Sequence, residues 1–125
     1  MRSVLGIVLV PLCVMNTATA ADSIPRHMQG LWTDTPMTCA AYKNRGAKFL
    51  TQPRPGQPDI WVRITASAVT GTTKGSFVRS TGARSVEVLD AENPNIMIDF
   101  TLPRDGFLEE TVVGARASMM YVRCR

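Results

Sequence analysis

Two cysteines constrain this chain more than any other feature. Of its three, Cys13 falls inside an N-terminal stretch that reads as a secretion signal, which leaves Cys39 and Cys124, the latter one residue from the end of the sequence. An even number of cysteines in an exported chain reads as a disulfide. The alternative is a pair of buried free thiols. A bridge between them closes a loop of more than eighty residues. In the chain-entropy model it stabilises by roughly 4–5 kcal/mol, less any strain in the native state. It ties residues 24–39 (IPRHMQGLWTDTPMTC), which open the mature domain, to the last residues of the chain. The fold must therefore bring its two ends together.

The leader is read from residues 1–20. Arg2 gives a short basic region, residues 4–15 (VLGIVLVPLCVM) are apolar, and Ala18-Thr-Ala20 is a small-x-small cleavage site that predicts a mature start at Ala21. The apolar run is shorter than the roughly twenty residues that a membrane-spanning helix needs, and Pro11 interrupts it. Leu12 before Cys13 is too bulky for a lipoprotein signal. Nothing after Ala20 is apolar enough to span a membrane. The expected location is the periplasm or the extracellular medium. An export route that threads an unfolded chain predicts no cofactor.

Residues 21–125 are one small domain by length. A chain this short buries only about two-thirds of its unfolded surface, so a covalent staple is useful. Glycine, proline and Asn/Asp clusters recur every eight to twelve residues, the spacing of an all-β sandwich or barrel. In residues 59–67 (DIWVRITAS), Ile60, Val62 and Ile64 share one face while Trp61, Arg63 and Thr65 share the other. Further strands are expected at 76–80, 85–89, 109–113 and 117–124. The cleanest is 96–102 (IMIDFTL), where Ile96, Ile98, Phe100 and Leu102 alternate with Met97, Asp99 and Thr101. The intervening turns, including 93–95 (NPN) and 103–106 (PRDG), are too short for parallel crossovers. Residues 40–50 read as a short helix or an irregular strand, and 53–58, with three prolines, as loop. The prediction is a small antiparallel meander β-barrel, closed at the seam between first and last strands by the disulfide, because closure removes unprotected edges. Bulky inward faces predict a packed interior.

The candidate chemistry is sparse. His27 is the sole histidine, sits before the first strand and has no positioned partner, so it reads as solvated. No metal-ligand spacing, nucleophile elbow or phosphate-cradling glycine loop occurs. The bridge would occupy both mature cysteines. Glu109 and Glu110 are neighbours on a strand and point to opposite faces, which suits one solvated and one paired side chain rather than a catalytic pair. Glu87, Asp99, Arg63 and Arg79 fall on outward faces and read as cross-strand ion pairs or as a recognition patch. Met119 and Met120 read as core or seam. No catalytic, metal or cofactor residue is assigned, and the chain is expected not to be an enzyme.

The formal net charge of +4 falls to about +3 once Arg2 is cleaved, and basic and acidic residues interleave with no basic stripe, which excludes a nucleic-acid binder. Trp32, at the start of the first strand, is expected to seal one end of the barrel with Arg123 or Arg116 stacked on it. Trp61, opposite an aliphatic face, is either an exposed interface anchor or is packed beneath the proline-rich loop.

Gly30-x-Trp32 near the mature N-terminus, with Arg123 on a late strand, resembles the lipocalin-like (calycin) barrels. In those proteins the Trp of a G-x-W motif packs on an arginine of the last strand. Together with Cys39 seven residues after the Trp and a terminal Tyr121-Val-Arg-Cys124, the layout also looks like small exported bacterial proteins of unknown function. The resemblance implies the barrel and the closing trio of Gly30, Trp32 and Arg123. Two functions are expected to compete. One is a monomeric, non-enzymatic binding module, inhibitor-like, presenting Trp61 and loop residues such as Arg54 to a protein partner. The other is a carrier of a small apolar ligand.

Overall fold

The computed structural model describes residues 6–7, 23–46 and 60–125. Eight antiparallel strands close into a barrel in chain order, each pairing with its sequence neighbours and the last with the first. They are β1 (Gly30–Thr33), β2 (Trp61–Ile64), β3 (Ala68–Gly71), β4 (Gly75–Gly82), β5 (Ser85–Asp90), β6 (Met97–Arg104), β7 (Phe107–Val112) and β8 (Ser118–Cys124). A 3-10 turn, Arg26–Met28, precedes β1, and a helix, α1 (Pro36–Arg45), follows it. Most of the leader, Arg54 and the proline-rich residues 53–58 lie outside the described residues.

The alternating faces read in the sequence become the core. Val62, Ile64, Val86, Val88, Ile98, Phe100 and Leu102 are buried, joined by Val69, Leu108 and Tyr121 from strands whose patterns are less regular. Trp32, on the first strand, is 0% exposed. With these side chains inside an eight-stranded barrel, the interior is filled, as expected at this strand number.

Closure sets β1 against β8 in the register Leu31 to Cys124, Trp32 to Arg123 and Thr33 to Val122. Cys39 and Cys124 are bonded, their Cα atoms 5.3 Å apart. Cys39, however, stands on α1 and not on β1. The staple therefore clamps the helix across the outside of the closing seam, where Leu31 and Thr33 are buried although they face outward.

Two local elements depart from the sequence reading. The helix begins at Pro36, four residues before the stretch considered helical, because Thr35 caps it and proline suits a first helical position. The Thr35 hydroxyl accepts from the Thr38 amide at 3.2 Å. The helix ends at Gly46, whose φ of 66° returns the chain. The stretch read as one strand over 59–67 instead turns back at 65–68 into β3. Thr65 makes this turn without glycine or proline, its amide donating to the Ala68 carbonyl at 2.9 Å and its hydroxyl accepting from the Ala68 amide at 3.2 Å. Gly71 is the last residue of β3.

Met119 and Met120, read as core or seam, are 36% and 44% exposed on β8, near the strand's first residues, where the barrel wall ends.

Candidate functional site

The two ends of the barrel differ. At the end where β1 begins and β8 finishes, the N-terminal segment crosses the opening and plugs it. The Ile24 amide donates to the Ala66 carbonyl at 2.8 Å, and both Ile24 and Met28 are buried in the core. The indole Nε1 of Trp32 donates to the Met28 carbonyl at 2.9 Å, which holds the plug from inside.

Arg123 holds it from the rim. Its guanidinium lies 4.2 Å from the Trp32 ring centroid. Nη1 donates to the Gln29 carbonyl at 2.9 Å, and Nη2 donates to the His27 carbonyl. A planar fork suits this double duty of stacking and paired donation. Gly30, at φ 120°, lets the chain pass beneath: a Cβ there would stand 3.2 Å from Arg123 Nη1. Gly30, Trp32 and Arg123 thus meet at one point. Arg116, the other arginine considered, is on the β7-to-β8 connection at the opposite end.

Outside this plug lies a depression of about 710 Å³. Gly30, Leu31, Trp32 and Leu102 underlie it, while the side chains of Arg26, His27, Arg84, Arg123 and Arg125 surround it with a single acidic side chain, Asp105. Arg84 donates to Asp105 Oδ1 at 2.8 Å. His27 is exposed, as its solvated reading expects, and its Nε2 donates to the Ala83 carbonyl at 2.9 Å. Burial, and then Arg125 beside it, pull the Arg123 guanidinium below its ordinary value. Like charges are crowded at this rim.

The other end carries a half-buried acid. Glu110 points inward on β7, accepting from the Thr73 hydroxyl at 2.6 Å and the Tyr121 hydroxyl at 3.3 Å. Burial raises its carboxyl above the ordinary glutamate value despite these two bonds, with the Asp90 charge adding to the rise. Tyr121 is pushed upward as well, by burial and by the Glu110 charge. Glu109 faces outward on the same strand. The Glu pair is therefore split between the two faces, both half-buried, with Glu110 hydrogen-bonded inside the barrel.

The outer face carries one of the expected cross-strand ion pairs, Arg79 with Glu87 at 2.6 Å, whereas Arg63 donates to the Tyr42 hydroxyl of α1 at 3.2 Å. Asp99, opposite Glu87 in register, is raised by burial and by that neighbour. Trp61 is half-buried, and its ring packs over the next strand: a Cβ on Gly71 would lie 2.8 Å from Trp61 Cε3. Arg54 lies outside the described residues, so the two candidate partner-binding residues are not brought together here. The basic depression escaped the sequence reading because its arginines are scattered over nearly a hundred positions. The visible signal is Arg84 at the hairpin turn and two arginines, Arg123 and Arg125, among the last three residues.

Comparison of this chain with the known protein families, with curated proteins and with solved structures yields no match.

Proposed function

We propose that this is an exported, non-enzymatic binding module that recognises a protein partner with its outer surface, as small exported inhibitors do. The filled interior carries the reading. Trp32, Phe100 and Tyr121, each at most 1% exposed, occupy the volume that an apolar cargo would need, and a carrier pocket is on the order of 300 Å³ or more. The bridge supports an oxidising compartment, and the leader-like residues 1–20 support export to the periplasm or beyond. The Trp32 and Arg123 contact supports kinship of design with lipocalin-like barrels, without their cavity. His27, the sole imidazole, spends Nε2 on a backbone carbonyl, and both mature cysteines are bonded. These residues are thereby engaged in structure.

The test is capture of periplasmic or secreted proteins on the immobilised wild type, followed by affinity measurement with the purified partner. A partner whose affinity falls with Trp61→Ala or Arg54→Ala supports this reading. An apolar molecule that co-purifies stoichiometrically and is released on denaturation would overturn it in favour of a carrier.

A further inference from the structure

We propose that the depression outside the plugged end is a binding site for a small organic polyanion, of the phosphate monoester or di- and tricarboxylate class. Charge distribution is the first ground. The side chains lining it carry four arginines against one aspartate, a net +3 with His27 neutral, while the whole chain carries +4. The rest of the molecule is thus close to neutral, and Arg104, 4.0 Å from the Phe107 ring centroid on the adjoining hairpin, extends the positive field at the same end. A field of one sign focused in a concavity raises the local concentration of counter-ions.

Shape is the second. A flat or convex basic surface would suit a bilayer, but this one is concave, and about 710 Å³ is the size of a small-molecule site. Its floor is the small exposed edges of Leu31 and Leu102 over the buried Trp32, while Arg26 and Arg84, the latter shared with the exposed Asp105, offer forked donors from two sides. Guanidinium groups match carboxylate and phosphate oxygens two at a time. A multivalent anion neutralises this crowding better than a monovalent one, which explains the choice of class. Arg123 is a positioning residue: its Nη atoms are committed to the His27 and Gln29 carbonyls. The inference is independent of whether a protein partner exists.

The experiment is an NMR titration of the disulfide-bonded domain at low salt with citrate, with glycerol 3-phosphate and with acetate, following the Trp32 indole and the Gly30 and Gly106 amides. Citrate or glycerol 3-phosphate should shift these signals saturably, with Kd below about 1 mM, and acetate should bind at least about tenfold more weakly. Added salt should weaken binding, because the arginines are exposed. The double variant Arg26→Gln, Arg84→Gln should lose about tenfold or more in affinity while its circular dichroism stays that of the wild type. The only ion pair described for it, Arg84 with Asp105, is solvent-exposed and dispensable for stability. No saturable shift at millimolar anion, or undiminished binding by the double variant, would overturn the assignment. So would binding to anionic lipid vesicles with none to the soluble anions.

Discussion

Replacing Cys39 and Cys124 together by serine should do two separable things, and the structure sets the size of each. The bridge spans 85 residues of sequence, so its removal returns entropy to the unfolded chain worth roughly 4–5 kcal/mol. For a domain of this length that corresponds to a fall in melting temperature of about 15–30 °C. The second effect is local. Thr38 is the one buried residue of α1, and the helix has no apolar stripe to hold it on the barrel. Ten residues are too few for a helix to persist in water by itself. A hydrogen bond such as that from Arg63 to Tyr42 contributes only about 1 kcal/mol. The helix should therefore detach while the barrel, closed by its own ladder between β1 and β8, remains folded at 25 °C. Hydrogen exchange read by mass spectrometry, combined with urea unfolding, separates the two. In the variant, peptides covering α1 should exchange at the rate of unstructured chain, while those from β5, β6 and β7 keep their protection. Protected α1 amides in the variant, or a melting temperature within a few degrees of the wild type, would refute the argument that the bridge, and not packing, docks the helix.

Other perturbations probe the remaining joints. Arg123→Ala removes two charged donors and the stacking on Trp32, and should cost about 2–3 kcal/mol, with a red shift of tryptophan emission as the plug loosens; unchanged stability and emission would mean that the plug is held by Ile24 and Met28 alone. Gly71→Ala must place a methyl 2.5 Å from the Trp61 carbonyl oxygen at a φ of 117°, which should cost about 2–4 kcal/mol in denaturant titration. Glu110 has a folded-state pKa above its unfolded value, so the folded chain binds the proton more tightly, and stability falls as pH rises from the ordinary glutamate range through the raised folded value. Glu110→Gln should flatten that fall and be the more stable protein at pH 8, provided Thr73 and Tyr121 keep donating to the amide oxygen; a steeper pH dependence in the variant would contradict the sign.

The barrel was legible because its strands are half-buried in a regular way. A period of two along 96–102 and 59–64 can be read from the sequence alone, since each inward side chain meets the same core. The closing contact of Trp32 with Arg123 was legible from a motif. Three features were not. The turn at 65–68 is made by a threonine hydroxyl and carries none of the usual turn residues, so a hairpin passed for one longer strand. The helix carries a cap, Thr35-Pro36, but no amphipathic pattern, because a covalent bond does the docking that an apolar stripe does elsewhere. The basic depression gathers residues from the N-terminal turn, two hairpins and the end of β8. Such a cluster exists only once the barrel has closed, and net charge, averaged along the chain, conceals it.

The central claim is a stapled barrel whose interior is full and whose binding is done on its surface. A native mass spectrum of the protein, exported from its full-length gene into a bacterial periplasm and purified gently, tests it most directly. The account predicts a chain that begins at Ala21, is lighter by two hydrogen atoms than its reduced form, and carries no apolar adduct. An apolar molecule retained in the gas phase and shed on activation would contradict the filled interior, and a fully reduced chain would contradict the staple.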